Sequence, residues 1–65
     1  MIQVEFNEVL DALRTDKHLD GASVQKIPYK LGVLGDFSVC LTAANGSKYE
    51  FHHLASFRLW QALQC

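Results

Sequence analysis

His52-His53, Cys40 and Cys65 are the side chains of this 65-residue chain best suited to hold a metal or attack a substrate. Tetrahedral zinc needs ligands that converge from short paired spacings, such as two cysteines or two histidines a few residues apart. Adjacent histidines on a strand point to opposite faces, so His52 and His53 do not easily meet at one ion. No metal site and no cofactor are expected. Cys40 with His52 is nominally a nucleophile–base pair, with Glu50 across from the thiol. Such a cluster on an open sheet face has neither a pocket nor oxyanion donors. Glu5 and Glu8 share an exposed helical face, whereas paired carboxylates doing acid–base work need a cleft. Gly32, Gly35 and Gly46 read as turn and strand glycines and form no phosphate-binding loop. No catalytic residue is assigned, and a non-enzymatic protein is expected.

These positions depend on a hairpin. Phe37, Val39 and Leu41 alternate with polar residues, as do Tyr49, Phe51 and His53 after Asn45-Gly46. Alternation of this kind marks half-buried strands, and Asn-Gly marks the turn between them. A two-residue loop at Asn45-Gly46 would put the two apolar sets on opposite faces. A three-residue loop, Ala44-Asn45-Gly46, pairs Leu41 with Tyr49 and Val39 with Phe51 and leaves one apolar face. Gly46 then takes the left-handed position without strain. The same reasoning applied to Leu34-Gly35-Asp36 sets Val33 opposite Phe37 and Leu31 opposite Val39. The apolar face then carries Tyr29, Leu31, Val33, Phe37, Val39, Leu41, Tyr49 and Phe51. The outer face carries Lys30, Gly32, Ser38, Cys40, Thr42, Lys48, Glu50 and His52.

Helices flank this meander. Phe6, Val9, Leu10 and Leu13 share one helical face within residues 4–15, and Glu5, Glu8, Asp11 and Arg14 fall off it. A short strand through Ile2, Val4 and Phe6, leading into a helix capped by Asn7, is the rival reading. Residues 54–64 form the second helix, with Ala55, Leu59, Ala62 and Leu63 as its core stripe. Arg58, Gln61 and Gln64 mark its wet side, Trp60 its shoulder, and Phe57 lies near the wet side. Residues 16–28 read as a loop in which Val24 and Ile27 enter a strand at most; Pro28 confines that strand to a sheet edge. The expected architecture is α+β, in the order α-β-β-β-α. It is a three-stranded antiparallel meander with both helices on its apolar face, in one domain over 1–65.

Composition bounds the function. Apolar residues make up 49% and charged residues 20% of the chain, so it folds rather than staying disordered. A domain of this size buries only about 60% of its unfolded surface and is marginal unless something helps. No apolar run approaches the ~20 residues that span a bilayer. Met1-Ile-Gln-Val-Glu shows no basic or apolar signal segment, and a cytoplasmic protein is expected. Two cysteines make no disulfide framework. The formal charge is −1 and uneven, with five acids against two bases in residues 1–20.

What remains is a surface for a partner. Phe57 and Trp60, beside Gln61, have the character of interface anchors, although Trp60 also suits the core. Glu5, Glu8 and Asp11 offer an acidic helix face, for which a solvated surface is the plainer account. The expected function is therefore that of a small interaction module that binds and blocks a larger protein. If the acidic face contributes, the target is a nucleic-acid-binding protein. Motif-free chains of this size are common among phage proteins that inhibit host machinery, anti-CRISPR proteins among them. The α-β-β-β-α order is also that of double-stranded-RNA-binding domains, which need a basic cluster at the start of the second helix. His52-His53-Leu54-Ala55-Ser56 supplies none, so nucleic-acid binding on such a degenerate scaffold is the lesser alternative. A structural homo-oligomer, joined at the edge strand near Tyr29 or at the outer sheet face, is the third reading.

Overall fold

The computed structural model describes residues 1–28 and 36–64. The first helix, α1, spans Gln3–Thr15. Its start is closed by Glu5, whose Oε1 accepts from the Ile2 N–H at 3.0 Å. The Ile2 side chain offers no acceptor in return, so only half of a capping box forms. The helix begins before Asn7, so there is neither a leading strand nor a cap at that residue. Phe6, Val9 and Ala12 are buried and Leu13 half-buried, whereas Leu10 is 39% exposed. The buried face is thus turned toward Ala12 and away from Leu10 relative to the sequence expectation.

Asp16 ends α1 and begins the next element. One of its carboxylate oxygens accepts from the His18 N–H at 2.9 Å, capping a 3-10 helix at Lys17–Leu19. The other accepts from Gln61 Nε2 at 2.9 Å. These two bonds, the Gln61 one foremost, hold the Asp16 carboxyl below the usual carboxylate range. Leu19 is buried, so the segment read as a polar loop delivers a core residue.

The sheet has three antiparallel strands in the order β1 (Ser23–Pro28), β2 (Phe37–Thr42), β3 (Lys48–Phe51). The hairpin register matches the expectation: Leu41 faces Tyr49, Val39 faces Phe51 and Cys40 faces Glu50. The Ala43 N–H donates to Ser47 O at 2.8 Å and the Gly46 N–H to Ala43 O at 2.9 Å, which closes a loop of Ala44, Asn45 and Gly46. Gly46 has φ of +91°, the left-handed conformation the loop requires.

The partner of β2 on its other side differs. Val39 pairs with Lys26 and Phe37 with Pro28, so Leu31 and Val33 are not their partners. The expected strand through Tyr29, Leu31 and Val33, its loop residues Leu34 and Gly35, and Cys65 lie outside the described residues. The inward positions of β1 are Val24, Lys26 and Pro28, as their pairing with Leu41, Val39 and Phe37 shows. Only Val24 is an ordinary strand hydrophobe, which hid the alternation. Lys26 tolerates its position because its stem lies along apolar surface while its amine finds partners. Its Nζ sits 5.1 Å from the Phe6 ring centre and 5.0 Å from that of Phe37, and it bonds to Gln3 Oε1. β1 is an edge strand, as Pro28 demands.

The second helix, α2, spans Leu54–Leu63 and starts from His53, whose backbone is extended. Its orientation is opposite to the expectation. Phe57 is fully buried, while Leu59 and Leu63 are 68% and 75% exposed and Ala55 and Ala62 are exposed. Both sides of this helix are apolar, so periodicity alone does not choose between them. The aromatic side wins because burying rings removes more surface from water. Phe57 meets Phe51 edge-on with centres 5.7 Å apart, and Trp60 lies against Tyr49 at 5.1 Å and Phe51 at 5.7 Å. Phe57 therefore presents no surface to a partner.

One core joins both helices to a single sheet face, through Met1, Phe6, Val9, Ala12, Leu19, Val39, Leu41, Phe51 and Phe57. Met1 seals its end. Its ammonium donates to Phe37 O at 2.6 Å, to His52 O at 2.7 Å and to Asp36 Oδ1. The ammonium is the chief cause of an Asp36 carboxyl held below the usual carboxylate range.

Candidate interaction surface

The side chains nominated for chemistry are dispersed by the fold. Among the described residues, no three His, Cys, Asp or Glu side chains are grouped so as to hold a metal ion. Cys40 is a free, half-buried thiol in the middle strand. His52 turns instead to Ser38, with Oγ and Nδ1 2.5 Å apart. A hydroxyl bonded to an imidazole is the start of a nucleophile–base pair. Here Ser38 is only 2% exposed, so a substrate has no approach to it. The sequence did carry this contact. A register that sets Val39 opposite Phe51 continues to Ser38 opposite His52.

The acidic face of α1 is occupied internally. Glu5 holds the helix start, Glu8 lies 3.8 Å from the Arg58 guanidinium, and Asp11 bonds to Arg14 at 2.6 Å. Pairs this exposed contribute little to stability, so the three acids stay accessible, but two are partly neutralised. Gln61 is half-buried and donates to Asp16, tying α2 to the 3-10 helix. Of the residues nominated on α2, Phe57 is lost to the core, while Trp60 and Gln61 stay half-buried, Trp60 as a ring beside the core.

What sequence reasoning assigned to the core instead faces outward. Ala55, Leu59, Ala62 and Leu63 line the outer side of α2, and no acid lies in its first turn and no base in its last. The longer polar side chains of the helix point the other way, and Ser56 is the exposed polar residue beside the strip. Arg58 reaches Glu8, Gln61 reaches Asp16, and Gln64 Nε2 donates to Trp60 O at 3.2 Å. The signal was present in the sequence: α2 has two apolar stripes, and a helix apolar on both sides must cover both or expose one.

The described residues also form two concavities. One, of about 490 Å³, is lined by Asn7, Leu10, Leu13 and Arg14 of α1. The other, of about 260 Å³, lies where the 3-10 helix, the β2–β3 loop and α2 meet, with Trp60 in its wall.

Among the described residues, no helix is long and apolar enough to cross a membrane. Compared with protein-family models, curated proteins and solved structures, the chain gives no match. The fold places it among small α+β domains with a three-stranded antiparallel sheet covered on one face by two helices. A fold of this kind does not imply a function, which lies in the side chains on its surface.

Proposed function

We propose that the chain is a non-enzymatic protein-interaction module whose contact face is the outer side of α2. The observation that carries this reading is the exposure of Leu59 and Leu63, 68% and 75%, one helical turn apart. A contiguous apolar strip on a helix is costly to leave in water and is the usual face presented to a complementary groove. The partner is a larger protein, and the chain acts by covering part of its surface. The proposed mode of action is inhibition of the phage type, in which a compact domain occludes a host protein. The free thiol of Cys40 suits a reducing, cytoplasmic setting.

Nucleic-acid binding has less support. It requires bases that converge on one face. Lys26 is held over Phe6 and Phe37 on the inner side of the sheet, and Arg58 is turned to Glu8.

The test is a capture experiment with the partner identified by mass spectrometry. Leu59→Glu with Leu63→Glu abolishes capture while leaving the circular dichroism unchanged. Retained capture by that double variant overturns the assignment of the face. Light scattering over a dilution series separates a homo-oligomer, whose mass falls on dilution, from a monomer that binds another protein.

A further inference from the structure

We propose that the cleft beside Trp60 receives an arginine guanidinium of the partner protein. The inference rests on the reading of the chain as an interaction module, but on different residues. The cleft has a volume of about 260 Å³, room for one side chain and below the ~300 Å³ at which small-molecule sites begin. Its described lining includes His18, Asp20, Ala44, Asn45, Trp60 and Gln64.

Charge selects the occupant. With histidine neutral, Asp20 is the one formally charged residue in the described lining. Its carboxylate has no ion pair or hydrogen bond among the described residues. The Gln64 Nε2 is engaged with Trp60 O, which leaves Gln64 Oε1 as a second acceptor. The third element is aromatic. Trp60 is braced by Tyr49 and Phe51 and remains half-exposed. A carboxylate, an amide oxygen and an indole in one lining suit a planar cation with several donors. Guanidinium stacks on an aromatic ring and donates to a carboxylate in a fork; an ammonium supplies only a point charge.

The cleft is also firmly built. Gly21 has φ of +82°, and a Cβ placed there would stand 2.9 Å from the Ala44 Cβ. The turn that carries Asp20 therefore touches the hairpin loop that carries Asn45, at a contact only glycine permits. Trp60 and Gln64 extend from the same helix as Leu59 and Leu63. Tryptophan and arginine are the residues most enriched where binding energy concentrates.

Trp60 is the single tryptophan, so its fluorescence reports on the cleft directly. The probe is N-acetyl-arginine amide, titrated into the intact chain at millimolar concentrations. A saturable change in Trp60 emission is expected, with amide resonances of Ala44 and Asn45 shifting along the same isotherm. N-acetyl-citrulline amide, which keeps the shape and loses the charge, should produce no saturation. Asp20→Asn should weaken the arginine response about tenfold, while Asp11→Asn, on α1, leaves it unchanged. No saturable response to arginine, an equal response to citrulline, or an unaltered affinity in Asp20→Asn each overturns the proposal. The Leu59→Glu, Leu63→Glu variant separates the two readings. It should keep the arginine response while losing the partner, and a failed titration with partner capture intact removes the cleft alone.

Discussion

Phe57 and Leu59 stand two positions apart on α2 and on opposite sides of it: Phe57 is fully buried against Phe51, and Leu59 is 68% exposed. Truncating each should therefore have unequal effects. Phe57→Ala removes a packed ring and should cost about 3–5 kcal/mol. That is comparable to the whole stability a core of this size supplies, so the variant should be largely unfolded at room temperature. Leu59→Ala should stay within about 0.5 kcal/mol of the parent, because its side chain lies mostly in water. Urea titrations followed by circular dichroism compare the two. Equal losses would mean that α2 is turned the other way.

Gly21 and Gly46 both have positive φ, but only Gly21 is also crowded. Gly46→Ala meets open space and should cost about 1–2 kcal/mol, from the backbone conformation alone. Gly21→Ala pays that same conformational penalty and adds a clash with Ala44. Ala44→Gly introduced alongside Gly21→Ala should recover the clash and leave the backbone part. Denaturation midpoints of the single and double variants measure the coupling. Additive effects would show that Gly21 and Ala44 are not in contact.

The Asp36 carboxyl is lowered chiefly by its hydrogen bond from the Met1 ammonium. A carboxyl depressed in the folded state contributes stability above its unfolded value and loses it as pH falls through the folded value. Asp16, lowered mainly by Gln61, acts in the same sense. Stability should therefore be flat above about pH 5 and fall below it, through and beyond the usual carboxylate range. Asp36→Asn should be less stable than the parent at neutral pH, and the two should converge in strong acid. Melting curves taken between neutrality and pH 2.5 follow this. A constant gap across that range would count against the ion pair.

Lys26 lies over Phe6 and Phe37 at the edge of the core. Lys26→Met keeps the stem and removes the charge, and should cost about 0.5–1 kcal/mol. Lys26→Arg, which retains a cation over the rings, should lose less. If methionine proves the more stable of the two, stem packing alone accounts for the residue at this position.

The central hairpin was fully legible in the sequence. Period-two alternation fixes which residues share a face, and only one loop length puts Val39, Leu41, Tyr49 and Phe51 on the same side. The register, the left-handed Gly46 and the meeting of Ser38 with His52 all follow from that constraint. β1 was not legible, because its inward positions include a lysine and a proline whose places depend on neighbours distant in sequence.

The sequence by itself determined that the chain is α+β, that two helices flank a meander, and where the hairpin turns, because these depend on local periodicity and turn chemistry. Only the tertiary structure decided which side of α2 is inside. Both sides are apolar, and the choice belongs to the aromatic surface that Tyr49 and Phe51 present across the sheet. It also decided that Gly21 and Ala44 touch and so bring Asp20 and Trp60 to one cleft. Contacts between segments so far apart in the chain leave no periodic trace in the sequence. The candidate interaction surface was therefore written in residues that sequence reasoning had placed in the core.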